Sequence, residues 1–198
     1  MKFIVLGGFL GAGKTSALIQ FAKHLVGDNP ENATKCVIIE NEIGEIGIDD
    51  QVLKNDGGYE VKGLFSGCVC CSMSGELVVS LHKIMNDLQP EFIIMEATGV
   101  AYPANIKETV ENSLKIPAKI VCLVDAKRWK RLLVPMAMLI PGQLEGAEVI
   151  LINKIDTVDE TALSEIDESV KGFNDTAIRY HISANEHIDE AIWEKIVS

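Results

Sequence analysis

A glycine-rich loop between an apolar run and a helical pattern is the feature that most restricts how this 198-residue chain can fold. The run Lys2–Leu6 predicts a strand, and Lys14–Val26 has the periodicity of a helix. Between them, Gly8 to Thr15 match G-x-x-x-x-G-K-[ST], a phosphate-binding pattern that requires this strand and helix context. Backbone N–H groups of such a loop converge on phosphate oxygens at a helix N-terminus. The loop therefore predicts a nucleotide-binding site.

The rest of the chain repeats this alternation of short apolar runs and longer amphipathic segments. Further predicted strands are Lys35–Glu40, Glu91–Glu96, Ala118–Val124, Glu148–Asn153 and Thr176–His181. Further predicted helices are Ser74–Leu88, Ala104–Asn112, Ala126–Leu133, Asp159–Phe173 and His187–Val197. Continuous Val, Ile and Leu runs are typical of strands covered on both faces. The pattern predicts an α/β fold, a three-layer P-loop NTPase with a mainly parallel sheet flanked by helices, in one domain over 1–198.

Composition disfavours several other classes of protein. The chain has 18 Lys and Arg against 29 Asp and Glu, a net charge of −11, whereas nucleic-acid binders are usually basic. No apolar run reaches the ~18 residues of a membrane helix. The apolar stretch Leu132–Ile140 is interrupted by Pro135 and ends at Pro141, and Phe3–Leu6 is short for a signal peptide. We therefore expect a cytoplasmic protein with no nucleic-acid or membrane partner.

The phosphate loop supplies the first set of candidate site residues. Lys14 is predicted to reach the β and γ phosphates of a nucleotide, and Thr15 to supply a hydroxyl to Mg²⁺. The alternative is a glycine-rich turn that carries Lys-Thr by chance, which the flanking strand and helix disfavour. The residues predicted to bind the nucleotide here are Gly8, Gly11, Ala12, Gly13, Lys14, Thr15 and Ser16.

A second pattern indicates which base is bound. Asn153, Lys154 and Asp156 form the N-K-x-D pattern of GTP-binding proteins, directly after a predicted strand. The Asp156 carboxylate can accept hydrogen bonds from the ring N–H and 2-amino group of guanine, which adenine cannot supply. Asn153 and Lys154 would brace the loop and the base. Ser183 and Ala184 follow the last predicted strand and indicate either a second base-contacting loop or an ordinary helix N-cap region.

Three of the five cysteines lie within four residues, at Cys68, Cys70 and Cys71. An odd number of cysteines in a cytosolic chain argues against a disulfide framework and for metal or redox chemistry. Thiolates are soft ligands suited to Zn²⁺ and Cu(I), and three of them leave a tetrahedral ion one open position. The alternatives are buried core cysteines or a redox switch. Cys36 and Cys122 stand in apolar runs and are predicted to be small core residues.

Acidic residues near two predicted strand ends complete the set. Glu96 ends one strand, where a carboxylate can face Mg²⁺ or its water, and the N–H of Gly99 can approach a γ-phosphate. Asp49 is a candidate to hold a Mg²⁺ water or place the attacking water, and Glu42 to lend an oxygen to the thiolate site. A solvated acidic loop is the alternative for Asp49 and Glu42. The predicted catalytic residues are Lys14, Glu96 and Asp49.

Taken together and in this order, five segments resemble the CobW-like branch of the metal-handling P-loop GTPases, which is related to the urease and hydrogenase nickel-insertion GTPases. They are GFLGAGKTS at 8–16, IIENEIGEIGID at 38–49, GCVCC at 67–71, EATG at 96–99 and QLEGAEVILINKID at 143–156. The resemblance implies a GTPase that binds GTP and GDP with Mg²⁺ and is coupled to delivery of Zn²⁺ or Co²⁺ held on Cys68, Cys70 and Cys71. Because the sequence shows no recognisable arginine finger, slow intrinsic turnover is expected.

The same resemblance implies partners and a domain organisation. The expected client is a metalloprotein or a protein of a cobalamin pathway, and a homodimer is possible. Typical members continue into a second C-terminal domain, which this chain, ending at Ser198, is expected to lack. Two other functions remain open from sequence. A P-loop small-molecule kinase explains the phosphate loop alone, and a metal or redox sensor would keep the nucleotide as a structural ligand.

Overall fold

The computed structural model describes residues 1–27, 36–40, 60–63 and 74–198. Seven strands form one sheet, in the order β3-β2-β4-β1-β5-β6-β7, and every neighbouring pair is parallel. The strands are β1 Lys2–Gly8, β2 Cys36–Glu40, β3 Glu60–Gly63, β4 Phe92–Glu96, β5 Ala118–Asp125, β6 Val149–Asn153 and β7 Ile178–His181. The predicted parallel sheet is confirmed, with the phosphate-loop strand β1 at its centre.

Helices connect the strands and cover the sheet. They are α1 Lys14–Val26, α2 Ser74–Leu88, α3 Pro103–Leu114, α4 Trp129–Leu132, α5 Ile140–Leu144, α6 Glu160–Lys171 and α7 Glu190–Val197, with a 3₁₀ turn at Ile155–Thr157. Asp159 and Asp189 cap α6 and α7, since each carboxylate accepts a backbone N–H of the first turn. Within the described residues no helix is long and apolar enough to cross a membrane.

Two hydrophobic clusters lie on opposite faces of the sheet. Alternate residues of β1 point to opposite faces, so that Phe3 and Val5 belong to one cluster and Ile4 and Leu6 to the other. The first cluster includes residues of α2, α3, α5 and α6, and the second includes residues of α1 and α7. The predicted three-layer architecture is therefore confirmed. Cys36 and Cys122 are buried in these clusters, as predicted, and burial raises the pKa of each thiol to about 12.

One predicted helix is too long, and two short elements were not predicted. The helix expected over Ala126–Leu133 is confined to Trp129–Leu132, because the N–H groups of Ala126 and Arg128 bond Asn153 O and Asp125 Oδ1 instead. Helix α5 was not predicted, although a proline such as Pro141 is compatible with the first turn of a helix, where the missing N–H costs nothing. The four-residue strand β3, at the edge of the sheet, is too short for its pattern to predict.

Candidate nucleotide-binding site

The phosphate loop leaves β1 at Gly8 and enters α1 at Lys14, with glycines where no other residue fits. Gly8 and Gly13 have φ angles of 128° and 96°, which L side chains rarely adopt. A Cβ at Gly8 would overlap the carbonyl oxygen of Leu123, and one at Gly13 would overlap the amide of Asn153. The loop therefore lies tightly against β5 and β6, and its glycines are required by both space and conformation.

Lys14 and Thr15, at the start of α1, both approach the carboxylate that ends β4. Lys14 is 6% exposed, and its Nζ lies 3.7 Å from Glu96 Oε1 and 3.4 Å from the carbonyl oxygen of Phe9. The Thr15 hydroxyl donates to Glu96 Oε2 at 3.2 Å. A hydroxyl beside a carboxylate is an oxygen donor set of the kind that Mg²⁺ prefers. The structure thus brings together the predicted Mg²⁺ residues Thr15 and Glu96, next to the predicted phosphate lysine.

The segment after Glu96 packs directly on the phosphate loop. A Cβ on Gly99 would lie 2.5 Å from the backbone nitrogen of Leu10, so only glycine permits this approach. Gly99, predicted to contact a γ-phosphate, is therefore adjacent to the loop that is predicted to hold the other phosphates. The two segments of the sequence meet because β1 and β4 are neighbours in the sheet, with Leu6 aligned to Glu96.

Gln143, a residue that the site prediction did not include, joins these two segments. Its side chain on α5 is 1% exposed. Its Oε1 accepts the N–H of Gly8 at 3.0 Å, and its Nε2 donates to the carbonyl oxygens of Ala101 and, at 3.4 Å, Gly99. The one feature of the sequence that could have indicated Gln143 is its place as the first residue of 143–156, one of the five segments that carry the family resemblance. It ties the first residue of the phosphate loop to the segment that follows Glu96.

The N-K-x-D residues brace the phosphate loop from the side of β6. Asn153 is buried, its Nδ2 donates to Ala12 O at 2.8 Å, and its Oδ1 accepts the N–H of Ala184 at 2.8 Å. Lys154 Nζ donates to Gly11 O at 2.6 Å. Asp156 lies in the 3₁₀ turn with an exposed side chain. Two residues of the motif thus fix the loops, while the carboxylate predicted to read guanine faces outward.

Asp125, at the end of β5, and Arg128, three residues later, were also absent from the site prediction. The Asp125 carboxylate, buried at the end of β5, accepts Lys154 Nζ and Arg128 Nε at 2.7 Å each. Burial by itself raises the pKa of Asp125, but hydrogen bonds from Lys154 and Arg128 outweigh this effect and hold the pKa below its usual range. Asp125 therefore stays ionised at neutral pH and orients two cations.

The loop of Ser183 and Ala184 meets the middle of α1. Gln20 Nε2 donates to the carbonyl oxygens of Ala184 and Glu186 at 3.0 and 2.9 Å, and its Oε1 accepts the N–H of Ile188. The Ser183 hydroxyl is buried, and within the described part of the chain it has no hydrogen-bond partner. A buried polar atom without a partner is costly unless a ligand or water satisfies it. The described residues do not satisfy the Ser183 hydroxyl, so its burial carries this cost in the loop that was predicted to contact the base.

The protein family of this chain is shown by a match to a family model. The model described as "CobW/HypB/UreG, nucleotide-binding domain" matches residues 2–180. This chain belongs to the CobW/HypB/UreG family. Membership agrees with the resemblance of the sequence segments and with the parallel P-loop fold.

Curated members of the CobW family are similar over part of their length. The chain is 32% identical over 166 residues to the "Zinc chaperone YjiA" of Escherichia coli (strain K12), covering 79% of this chain and 50% of that protein. It is 29% identical over 181 residues to the "Zinc-regulated GTPase metalloprotein activator 1" of Schizosaccharomyces pombe, covering 86% and 43%. The CobW-family chain described here therefore spans about half the length of these relatives.

Solved structures confirm the fold of this CobW-family chain. Chloroplast FtsY from Physcomitrella patens has a TM-score of 0.61 at 14% identity, covering 91% of this chain and 58% of that one. The signal recognition particle 54 kDa protein of Aeropyrum pernix K1, in complex with GDP, has a TM-score of 0.60 at 14% identity, covering 98% and 48%. At such low identity these likenesses show the fold alone.

The predicted transition-metal ligands of this CobW-family chain are not among the described residues. Cys68, Cys70, Cys71 and Glu42 lie outside them, as does Asp49, the third predicted catalytic residue. Among residues 1–27, 36–40, 60–63 and 74–198, no group of three or more His, Cys, Asp or Glu could hold a metal ion. The described part of the chain therefore contains the candidate nucleotide site. It also contains β3 and α2, the elements that precede and follow the cysteine segment in the sequence.

Proposed function

We propose that this chain binds GTP with Mg²⁺, hydrolyses it slowly and couples its nucleotide state to the delivery of a transition metal. The observation that carries the nucleotide part is the convergence of three elements on one loop. Lys14 and Thr15 meet Glu96 on one side of the phosphate loop, and Asn153 bonds the loop on the other. Membership of the CobW/HypB/UreG family supports nucleotide binding. The names of two relatives, a zinc chaperone and a zinc-regulated GTPase, make Zn²⁺ the first candidate for the metal and GTP for the nucleotide.

The phosphate and Mg²⁺ roles follow from the chemistry of the side chains. Lys14 would contact the β and γ phosphates, and the glycine-flanked N–H groups would contact phosphate oxygens. Mg²⁺ neutralises developing charge on the phosphates when it is bound. Thr15 would turn its hydroxyl oxygen from Glu96 to the ion, while Glu96 holds the ion or one of its waters. Asp49 remains the candidate to position the attacking water.

The base would be selected at the β6–β7 edge of the sheet. Asp156 would accept the ring N–H and 2-amino group of guanine. The Ser183 hydroxyl, which has no partner among the described residues, lies on the neighbouring loop and would bond either the base or Asp156. Asn153 acts on both loops, because it bonds Ala12 and Ala184. An adenine in this site would leave the Asp156 carboxylate without its donors, which disfavours the wrong base.

The register of the sheet gives a physical reason for coupling nucleotide to metal. Glu40, at the end of β2, is aligned with Glu96 on one side and with Gly63, at the end of β3, on the other. Neighbouring strands lie about 4.8 Å apart, so the chain leaves β3 roughly 10 Å from Glu96. Cys68 follows Gly63 by five residues, and Glu42 follows Glu40 by two. A change at Glu96 on hydrolysis therefore acts close to the start of both predicted metal-binding segments.

The cargo, client and assembly are further parts of this proposal. Zn²⁺ is the first candidate for the ion on Cys68, Cys70 and Cys71, with Glu42 as an additional ligand, and Co²⁺ is the second. The client would be a metalloprotein or a protein of a cobalamin pathway, and a homodimer could form across the nucleotide face. The cytoplasm is the proposed compartment, because thiolates stay reduced there.

The test is a Zn²⁺ titration of the reduced, metal-free chain against a chromophoric chelator, with GDP–Mg²⁺ and with a non-hydrolysable GTP analogue and Mg²⁺. We expect Zn²⁺ affinities that differ by about tenfold or more, a coupling of about 1.4 kcal/mol. The difference should disappear in Cys70→Ser/Cys71→Ser and persist in Cys36→Ala, whose buried thiol is not ionised at neutral pH. Equal affinity in both nucleotide states would contradict the coupling and favour a sensor or a static metal site.

A further inference from the structure

Arg128 binds the phosphate loop although it belongs to none of the recognised motifs. Its Nη2 donates to the carbonyl oxygen of Leu10 at 2.5 Å, and Lys154 Nζ donates to the next carbonyl, that of Gly11, at 2.6 Å. With the Asn153 bond to the loop, three successive carbonyl oxygens accept side-chain donors from the β5–β6 side. The loop is thus held at consecutive residues from one direction.

Asp125 organises two of these three donors. Its Oδ2 accepts Arg128 Nε and Lys154 Nζ, and its Oδ1 accepts the backbone N–H of Arg128 at 3.1 Å. A guanidinium is planar and offers donors in fixed directions, so the bond to Asp125 through Nε orients Nη2 toward Leu10. The buried carboxylate therefore determines where both cations stand.

Fixing a carbonyl also fixes the N–H that follows it. In a trans peptide the C=O of one residue and the N–H of the next point in opposite directions. Holding Leu10 O toward Arg128 turns the N–H of Gly11 away from β5. Holding Gly11 O toward Lys154 similarly sets the N–H of Ala12, which donates to Phe9 O at 3.0 Å and closes the turn of the loop.

We propose that Asp125 and Arg128 are positioning residues for nucleotide binding, which hold the phosphate loop in the conformation that presents its N–H groups to phosphate. This inference rests on the proposed guanine-nucleotide site and adds to it a device outside the G-x-x-x-x-G-K-[ST] and N-K-x-D motifs. It acts on the phosphate end of the ligand, because the Arg128 side chain bonds Leu10 of the phosphate loop and Asp125. Arg128 is 39% exposed, so its removal leaves the core intact.

The test compares Arg128→Met with Arg131→Met by fluorescence titration of a labelled GDP and a labelled non-hydrolysable GTP analogue in the presence of Mg²⁺. Arg131 is exposed on α4, the short helix that Arg128 immediately precedes, so both variants lose one positive charge at a similar place in the chain. We expect Arg128→Met to weaken binding of both ligands about tenfold and Arg131→Met by less than about twofold. Thermal unfolding without nucleotide should be nearly equal for the two variants.

Two further variants separate geometry from charge. Arg128→Lys keeps the charge but lacks the planar fork, so we expect it to recover less than half of the lost binding free energy. Asp125→Asn, which releases both cations, should weaken binding more than Arg128→Met, and the double variant should fall short of the product of the two effects. The preference for GDP over ADP should stay unchanged in Arg128→Met and fall in Asp156→Asn.

Several results would overturn the inference. They are equal binding by the Arg128→Met and Arg131→Met variants, full recovery by Arg128→Lys, or a loss of guanine preference in Arg128→Met equal to that in Asp156→Asn. If the wild-type chain bound neither guanine nucleotide, the proposed function would fail and this inference with it. Tight binding by the wild type together with unaffected binding by Arg128→Met would overturn the inference alone.

Discussion

The two sides of the phosphate loop are held in different ways. Toward β5 and β6, Arg128, Lys154 and Asn153 donate to three successive loop carbonyls at 2.5 to 2.8 Å. Toward β4, Lys14 and Thr15 face the carboxylate of Glu96 at 3.7 and 3.2 Å. The first side is built from short, mostly charge-assisted bonds between protein groups. On the second side the same groups are the predicted partners of phosphate and Mg²⁺, so their contacts must be exchanged when the ligand binds.

This difference indicates a division of labour. Bonds that already hold the phosphate loop lower the conformational free energy that nucleotide binding must supply. A side whose groups exchange partners can instead change conformation with the presence of a γ-phosphate. The exchanging side is also the one that continues through β2 and β3 toward the predicted metal-binding segments. Variants on the two sides should therefore fail in different ways.

The largest effect is expected from Asn153→Ala, on the preorganised side. The change removes bonds to Ala12 and Ala184 and leaves buried groups unpaired, so we expect a loss of about 2–3 kcal/mol in the free energy of unfolding and at least tenfold weaker nucleotide binding. Asn174→Ala is the matched control, because its amide donates to the carbonyls of Leu144 and Ala147 and to no carbonyl of the phosphate loop. Urea unfolding should show a similar loss in both variants, and nucleotide titration a loss only in Asn153→Ala.

Gln143→Met tests the connection between the two sides. The substitution keeps volume but removes the bonds to Gly8 and to the segment Gly99–Ala101, so we expect about 1–2 kcal/mol lower stability. Because Gly99 is the predicted γ-phosphate contact, binding of the GTP analogue should weaken more than binding of GDP. Parallel titrations with the two ligands measure this ratio. An equal loss for both ligands would show that Gln143 supports the fold without joining the two sides.

Glu96→Gln tests the exchanging side alone. The amide retains the size of the carboxylate and can still accept the Thr15 hydroxyl, so stability should change by less than about 1 kcal/mol. Loss of the charge should raise the Mg²⁺ concentration needed for half-maximal GTP hydrolysis about tenfold. Glu145→Gln, which changes an exposed acid, is the control and should keep the wild-type requirement. An unchanged Mg²⁺ requirement in Glu96→Gln would contradict the proposal that Glu96 holds the Mg²⁺ ion or one of its waters.

The smallest effect concerns acid stability and compares Asp125 with Asp167. For both, burial raises the pKa, but hydrogen bonds outweigh this effect and lower it. The hydrogen bonds come from Lys154 and Arg128 for Asp125, and from His181 and Arg179 for Asp167. A folded-state pKa below the unfolded value of ~3.9 gives stability that is fully present above that value and is lost as pH falls through the folded pKa.

Denaturant unfolding between pH 2 and 7 measures this dependence. We expect Asp125→Asn and Asp167→Asn each to flatten the acid limb, with the smaller change in Asp167→Asn because its carboxylate is more exposed to solvent. A steeper acid limb in either variant would contradict the direction of its pKa shift.

Most of the fold could be predicted because its signals are local. The apolar runs, the helical periodicity and the glycine loop gave the strands and helices from Lys2 to Val197 to within a few residues, and their alternation gave a parallel sheet. The errors lie at 126–144 and at β3, where non-local bonds or a short edge strand decide the structure. No pattern within Ala126–Leu133 indicates that the N–H of Ala126 donates to the carbonyl oxygen of Asn153, at the end of another strand.

The candidate site divides in the same way. Motif residues such as Lys14, Glu96 and Asn153 could be predicted, because each is a residue type that its chemistry requires at a fixed distance along the chain from a strand end. Their mutual contacts could not, since they depend on β1 lying between β4 and β5.

What the sequence alone determined is the phosphate loop, the N-K-x-D pattern, the cysteine segment and the parallel α/β class, all of which rest on spacing within short segments. What only the tertiary structure decided is the framework around the loop. Gln143 and Arg128 stand far from the phosphate loop in sequence, and only the order of the strands brings their side chains to it. Asp125 stands outside any motif and holds Arg128 from the end of β5. A hydrogen bond between two distant segments leaves no periodic trace in either of them, because its geometry exists only after the sheet has assembled.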